Sequence, residues 1–402
     1  MFPVVAVSAI DFGLVIGQAV DLTNVNTADE PGLNYTGTYS PWFSAELGET
    51  ASLYLSGKVS TIYENEKWKP KEPPLLPEVG RTEILWRPVP SVYLEAGRLP
   101  FRDPAGIIAA GFFDGLGGSV VLGKARLNAH VLYTGLLYKE TAKIIMSTHD
   151  AAAYSVPFAF DDADSYFSSR RIASSVGAEF SDLTPRTTLT LNALAQFDVN
   201  DRDSDALFHS QYLTAHYTAF LLDTLNVTGA VVFGLAENQE AWGNSPHAHF
   251  AALAGVDWEL PGDVQDMLSG EVRWSSGAAD DVAAFTPINS IAQGQVFTPK
   301  LSGLTAIKGQ YTARLSKVFS ASASGTYFIR TDGETLVGAD YPASTTRRLM
   351  GGELYGNVLW APVSDVVITL GAGAFFPGMG DVFVKQAPVL WKVTLGLILS
   401  VW

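Results

Sequence analysis

One pattern limits what this chain can become: long stretches in which every second residue is apolar. Val393, Leu395, Leu397, Leu399 and Val401 alternate with Lys392, Thr394, Gly396, Ile398 and Ser400. Leu53, Leu55 and Val59 alternate with Ser52, Tyr54, Ser56, Lys58 and Ser60. Leu189, Leu191, Ala193, Ala195 and Phe197 do so with Thr188, Thr190, Asn192, Gln196 and Asp198. Successive side chains on a strand point to opposite faces, so each segment is a strand with one apolar and one polar face. Many segments run about ten to fourteen residues, as a tilted membrane strand needs, against five or six in ordinary sheets. No apolar run reaches the roughly twenty residues of a membrane helix, which excludes a helical membrane protein.

Connections alternate short and long. Short turns sit at Gly48-Glu49-Thr50, Pro88-Val89-Pro90, Gly123, 182–185, Leu222-Asp223-Thr224, 261–265, Ser316 and Pro362-Val363-Ser364. Long loops fall near 23–32, 64–81, 99–115, 136–170, 199–206, 238–246, 278–300, 331–346 and 377–389. The strands predicted between them are 10–22, 33–47, 51–63, 82–88, 91–98, 116–123, 125–135, 171–181 and 187–198, followed by 207–221, 225–237, 247–260, 266–277, 301–315, 317–330, 347–361, 365–376 and 390–402. That makes about eighteen, an even number that closes into an antiparallel transmembrane β-barrel with both termini on the short-turn side. Sixteen is the alternative, because 82–88 and 91–98 are short and flanked by proline. Trp42, Trp86, Tyr133, Trp258, Trp360 and Phe375 lie toward strand ends, as interfacial girdles require. The reading is all-β and single-domain over 10–402. Met1 to Ala9, short, apolar and ending Val7-Ser8-Ala9, reads as the remnant of an export signal.

Composition agrees and narrows the function. Charged residues are 17% of the chain, below the roughly 25% of soluble domains. The formal net charge of -15 argues against nucleic acid, whose phosphates need clustered Lys and Arg. The absence of cysteine excludes a disulfide scaffold, a thiolate metal site and a cysteine nucleophile. No GxSxG, HExxH or CxxC occurs. Gly115-Leu116-Gly117-Gly118 has Val120 where a third nucleotide-binding glycine would stand. Asp201-Arg202-Asp203-Ser204-Asp205 opens like a calcium loop, but Ala206 takes the place of its glycine and Tyr212 that of its bidentate glutamate. His247 and His249 share a strand face without a third ligand in view. Neither enzyme, cofactor nor metal is expected.

Glu95-Ala96-Gly97-Arg98-Leu99-Pro100-Phe101, running into Phe112-Phe113-Asp114-Gly115-Leu116, is similar to the Gly-Arg-Gln element and Phe-Asp-Gly stretch of alginate-export-like barrels, with Leu99 where that family tends to have Gln. The terminal Trp402 resembles the C-terminal aromatic signal of outer-membrane proteins, on the parity of Lys392 and Thr394. The chain as a whole resembles the outer-membrane porins of diderm bacteria, most of all the eighteen-stranded alginate-export-type and carboxylate-channel barrels. This resemblance implies the bacterial outer membrane with periplasmic termini, lipid and the barrel-assembly machinery as partners, and passive diffusion of small hydrophilic solutes such as sugars or organic acids. It leaves the oligomeric state open. A second reading, from the long loop 136–170, is a plugged structural barrel or adhesin whose loops bind a partner.

If the apolar parity faces lipid, the other lines the lumen, since a charge at mid-membrane costs roughly 2–4 kcal/mol. Lys58, Arg87, Lys124, Arg126, Arg273, Lys308, Arg314 and Lys392 are the cationic candidates. Glu46, Glu83, Glu179, Asp198, Asp257, Glu259, Glu271 and Glu353 are the acidic ones. The loop 99–115 is too apolar to stand free in water. Folded inward, it narrows the channel, with Arg98, Arg102, Asp103, Phe112 and Asp114 at the constriction. In the other arrangement Ile107, Ile108, Phe112 and Phe113 simply pack on the inner wall.

A one-residue slip inverts a strand, so register is testable. Cysteines placed at Lys58, Arg126, Glu271, Lys308 and Arg314 should react with a water-soluble maleimide in intact membranes. Cysteines at Leu53, Leu127, Val272 and Leu395 should not, and the opposite pattern on any strand shows its register wrong.

Overall fold

The computed structural model describes residues 7–25, 31–64, 69–70, 75–201, 207–238, 245–262, 264–279 and 282–402. Eighteen antiparallel strands, together with a two-residue pairing at Lys69–Pro70 beside the third, form one closed sheet. They are β1 (Val7–Thr23), β2 (Gly32–Leu47), β3 (Ala51–Glu64), β4 (Leu76–Val89), β5 (Val92–Arg102) and β6 (Ala110–Leu122). Next come β7 (Ala125–Tyr133), β8 (Arg171–Ser181), β9 (Thr187–Asp198), β10 (Phe208–Leu222), β11 (Leu225–Asn238) and β12 (His247–Glu259). The last are β13 (Gln265–Ser275), β14 (Leu304–Arg314), β15 (Phe319–Arg330), β16 (Leu349–Val363), β17 (Val366–Phe376) and β18 (Leu390–Val401). Each strand pairs with the next, and β1 pairs with β18 from Leu14↔Val401 to Thr23↔Lys392. No helix of the described residues is long and apolar enough to cross a membrane.

The alternation dictates which face is which. Leu127, Val176, Leu213, Val231 and Leu395 stand exposed on the outside. On the opposite parity Ser175, Gln196, Ser210 and Thr214 are buried within. One end of the barrel carries connections of two to five residues together with both chain ends. Gly48 (φ 75°) and Gly123 (φ 63°) adopt the left-handed conformation that such tight turns demand.

Three boundaries differ from the sequence expectation, each for a local reason. The strand expected at 82–88 begins at Leu76, because Leu76 to Val79 pair with Ser60 to Gly57 beyond a register shift between Leu55 and Gly57. The loop expected over 99–115 shrinks to 103–109, because Leu99 to Arg102 pair with Phe113 to Ala110 as a continued hairpin. The long loop expected near 278–300 folds into the barrel over its described residues 282–300.

Three long connections fold into the lumen at the other end and fill part of it. Loop 103–109, loop 134–170 and loop 276–303 insert Ile107, Ile108, Ile144, Met146, Phe285 and Ile288 into one core against Leu132, Leu194, Tyr212, Val232 and Leu253 of the wall. Two loops are stitched together: the Ile288 N–H donates to Ile108 O (2.8 Å) and the Ala110 N–H to Asn289 Oδ1 (3.0 Å). Loop 134–170 carries helices α1 (Lys139–Ala142) and α2 (Thr148–Ser155), the latter begun by a Ser147–Asp150 capping box. Asp150 is fully buried against Arg171 of β8 at 2.5 Å, and Arg171 also meets Asp198 at 3.1 Å.

Removing one partner from such a buried cluster leaves uncompensated charge. Arg171→Met should therefore lower stability by roughly 3–5 kcal/mol. Urea unfolding of the reconstituted barrel checks this, and an unchanged midpoint would show that the cluster holds nothing.

Candidate functional site

Two polar cavities lie inside the barrel beneath the packed loops. The smaller, about 420 Å³, is walled mainly by β11–β14 and includes Asp257, Glu271, Arg273, Lys308 and Gln310. The larger, about 590 Å³, is walled by β5–β10 and includes Glu95, Arg126, Asn128, Glu179 and Thr190. Arg102 and Pro104 at the root of loop 103–109, and His216 on the wall, border both. Thr228 of the first cavity and Thr218 of the second are register partners, so the cavities lie side by side at one level.

The loop that divides them is organised by a carboxylate. Asp103 is buried, and its oxygens accept the N–H groups of Ala105 (3.1 Å), Ile108 (2.8 Å) and Ala109 (2.8 Å). This folds the backbone into a tight inward turn without any cation. Burial pushes the Asp103 carboxyl up from its ordinary pKa, and the backbone donors oppose that shift. Arg102 lies against Gly106 (φ 64°), where an added Cβ would meet its Nε at 2.3 Å. Only glycine lets the guanidinium rest there.

The sequence candidates separate into distinct settings. Arg98 and Asp114 form a bidentate pair (2.9 and 3.0 Å) on the outward parity of Leu94 and Leu116, and Arg98 also donates to Val79 O and Leu136 O. Their charges cancel away from the cavities. Phe112 is exposed on that same outward parity. Lys58 pairs with Glu78 at 2.5 Å, and Arg87 lies over the Tyr93 ring at 5.6 Å. Lys124 sits in the turn after Gly123 and donates to Asp182 O at 3.1 Å, and exposed Arg314 ends its strand. Glu271 and Arg273 pair with each other at 2.7 Å. Arg102, Arg126 and Lys308 take no ion pair and no side-chain hydrogen bond among the described residues. The aspartates at 201–205 lie almost wholly outside the described residues.

Glu353 has a role that parity alone did not reveal. It is buried and accepts the N–H groups of Gln295 (2.8 Å), Val296 (2.9 Å) and Phe297 (2.8 Å), clamping loop 276–303 to β16. The same loop is held by the Tyr212 hydroxyl donating to Thr286 O (2.6 Å) and by His249 Nδ1 accepting the Thr286 N–H (3.4 Å). The spacing of Ala283, Phe285 and Ile288 was the available signal that this loop is not simply solvated.

No protein-family model and no curated protein matches the chain. Solved structures do. OccK5 (OpdH) of Pseudomonas aeruginosa is 10% identical with a TM-score of 0.61 over 98% of each chain. OccK2 (OpdF) of the same bacterium, solved in complex with glucuronate, is 10% identical with a TM-score of 0.63 over 98% of each chain. OprD of Pseudomonas aeruginosa is 9% identical with a TM-score of 0.59, covering 98% of this chain and 95% of the other. At these identities the likeness is one of fold.

Glu353→Ala removes one acceptor from three backbone donors, a loss of about 3 kcal/mol at that anchor. Hydrogen exchange at Gln295, Val296 and Phe297 should accelerate while strand amides stay protected. Unchanged exchange would mean that the apolar contacts alone hold the loop.

Proposed function

We infer that the protein is an outer-membrane channel through which small hydrophilic solutes diffuse passively, with its chain ends in the periplasm. The exposed apolar belt supports placement in lipid, because aliphatic residues ringing a closed sheet need an apolar solvent. The eighteen-stranded fold shared with the OccK and OprD channels supports the same reading. No step of this transport calls for a catalytic residue or a cofactor.

One observation carries the finer reading. Three cations, Arg102, Arg273 and Lys308, face two acids, Asp257 and Glu271, around the smaller cavity. Glu271 is engaged by Arg273, and Arg102 and Lys308 take no ion pair among the described residues. A low-dielectric wall focuses the field of such free cations. The cavity therefore prefers anions, organic acids among them, although the whole chain carries -15. Charges on distant outer loops are screened within roughly 8 Å at physiological salt, so those at the constriction dominate. Arg102 and Asp103 then act as the constriction pair in different ways: Arg102 supplies the field and Asp103 shapes the loop that holds it. Arg126 adds to the polar lining of the larger cavity.

Changing Arg102 and Lys308 together to serine should move the reversal potential across a salt gradient toward cation selectivity. Unchanged reversal potentials would show that ions pass elsewhere.

A further inference from the structure

The larger cavity has a chemistry that the anion reading leaves unused. Its wall presents Ser119, Asn128, Thr188, Thr190, Asn192 and Thr218. It carries carboxylates and guanidinium groups in equal number, Glu95 and Glu179 with Arg126 and the Arg102 it shares with the smaller cavity. Glu95 is engaged by His130 (3.2 Å) and by the Tyr93 hydroxyl (2.9 Å), and Arg126 stands opposite Glu179 in register. Hydroxyl and amide side chains each donate and accept hydrogen bonds, which is the pairing that the hydroxyls of a sugar require. The wall also holds more hydrogen-bonding capacity than the protein uses. Asn192 Oδ1, on β9, is buried without a hydrogen-bond partner among the described residues. Tyr93 and Phe101 add ring surface to the same space. A volume of about 590 Å³ falls within the roughly 300–1,000 Å³ of small-molecule sites.

We propose that this cavity is a resting site for neutral polyhydroxylated solutes of sugar size, beside an anion site centred on Lys308 with which it shares Arg102. The lumen then offers two lanes side by side, divided by Pro104 and His216. This rests on the channel reading above and names a second class of solute for it.

The test uses the full-length protein in liposomes, with swelling in a neutral hexose and reversal potential in a potassium chloride gradient measured on the same preparations. Asn128→Leu combined with Thr190→Val should slow hexose entry about fivefold, the equivalent of one hydrogen bond, and leave the reversal potential in place. Lys308→Gln should do the reverse. Should the double variant fail to assemble, Thr190→Val alone should slow hexose entry about twofold or more, again with ions unaffected. Hexose entry that ignores the wall variants, or hexose and ion behaviour that change together in both, overturns the two-lane proposal. A wild-type barrel that passes neither hexose nor ions overturns the channel reading itself, and the proposal with it.

Discussion

Everything in this molecule depends on the ring of hydrogen bonds being closed. β1 and β18 meet over ten residue pairs, from Leu14↔Val401 to Thr23↔Lys392, so the sheet has no free edge. An unpaired backbone group in hydrocarbon costs several kcal/mol, which makes an open sheet untenable there and a closed one self-sufficient. Closure also gives the alternation its meaning. Once the backbone is satisfied within the wall, the side chains alone decide what each face touches. Leucines and valines then take the outside, while Ser, Asn, Gln and charges such as Arg126, Glu271 and Lys308 take the lumen; the outward Arg98 and Asp114 neutralise each other.

Closure leaves a wide interior, because eighteen strands enclose more volume than wall side chains can fill. The chain fills part of it with its own loops, and carboxylates organise them. Asp103 satisfies three N–H groups of its own turn, and Glu353 satisfies three of the loop it clamps. Asp150 and Asp198 converge on Arg171 to seat the longest loop. Much of the negative charge inside the barrel is thereby used for folding. Arg102 and Lys308 are left with no such employment, and they border the cavity. On the anion-channel reading proposed above, a strongly acidic chain holds a locally cationic passage in this way.

Period-two alternation made the number of strands, their order and their facing legible, because parity is a property of sequence alone. Strand ends were less legible. Pro77 and Gly106 look like breaks, yet pairing with β3 carried β4 to Leu76 and pairing with β6 carried β5 to Arg102. The inward course of loop 276–303 was hidden because its anchors, Glu353, Tyr212 and Asn289's partner Ala110, lie far away in sequence. Arg98 looked like a pore charge beside Arg102. Its bidentate partner Asp114 becomes its neighbour only once β5 and β6 are in register. Trp402 kept the wrong phase for a lipid-facing residue. Its ring packs edge-on against Trp42 at 5.4 Å, and Trp42 shares the inward parity of Gly13 and Tyr54.

The central claim is that the loops narrow the lumen without sealing it. Single-channel recording of the unmodified protein in planar bilayers tests this most directly. The account predicts discrete, ohmic current steps in simple salt solutions. A barrel that inserts, resists protease as a folded protein and yet passes no current would contradict it.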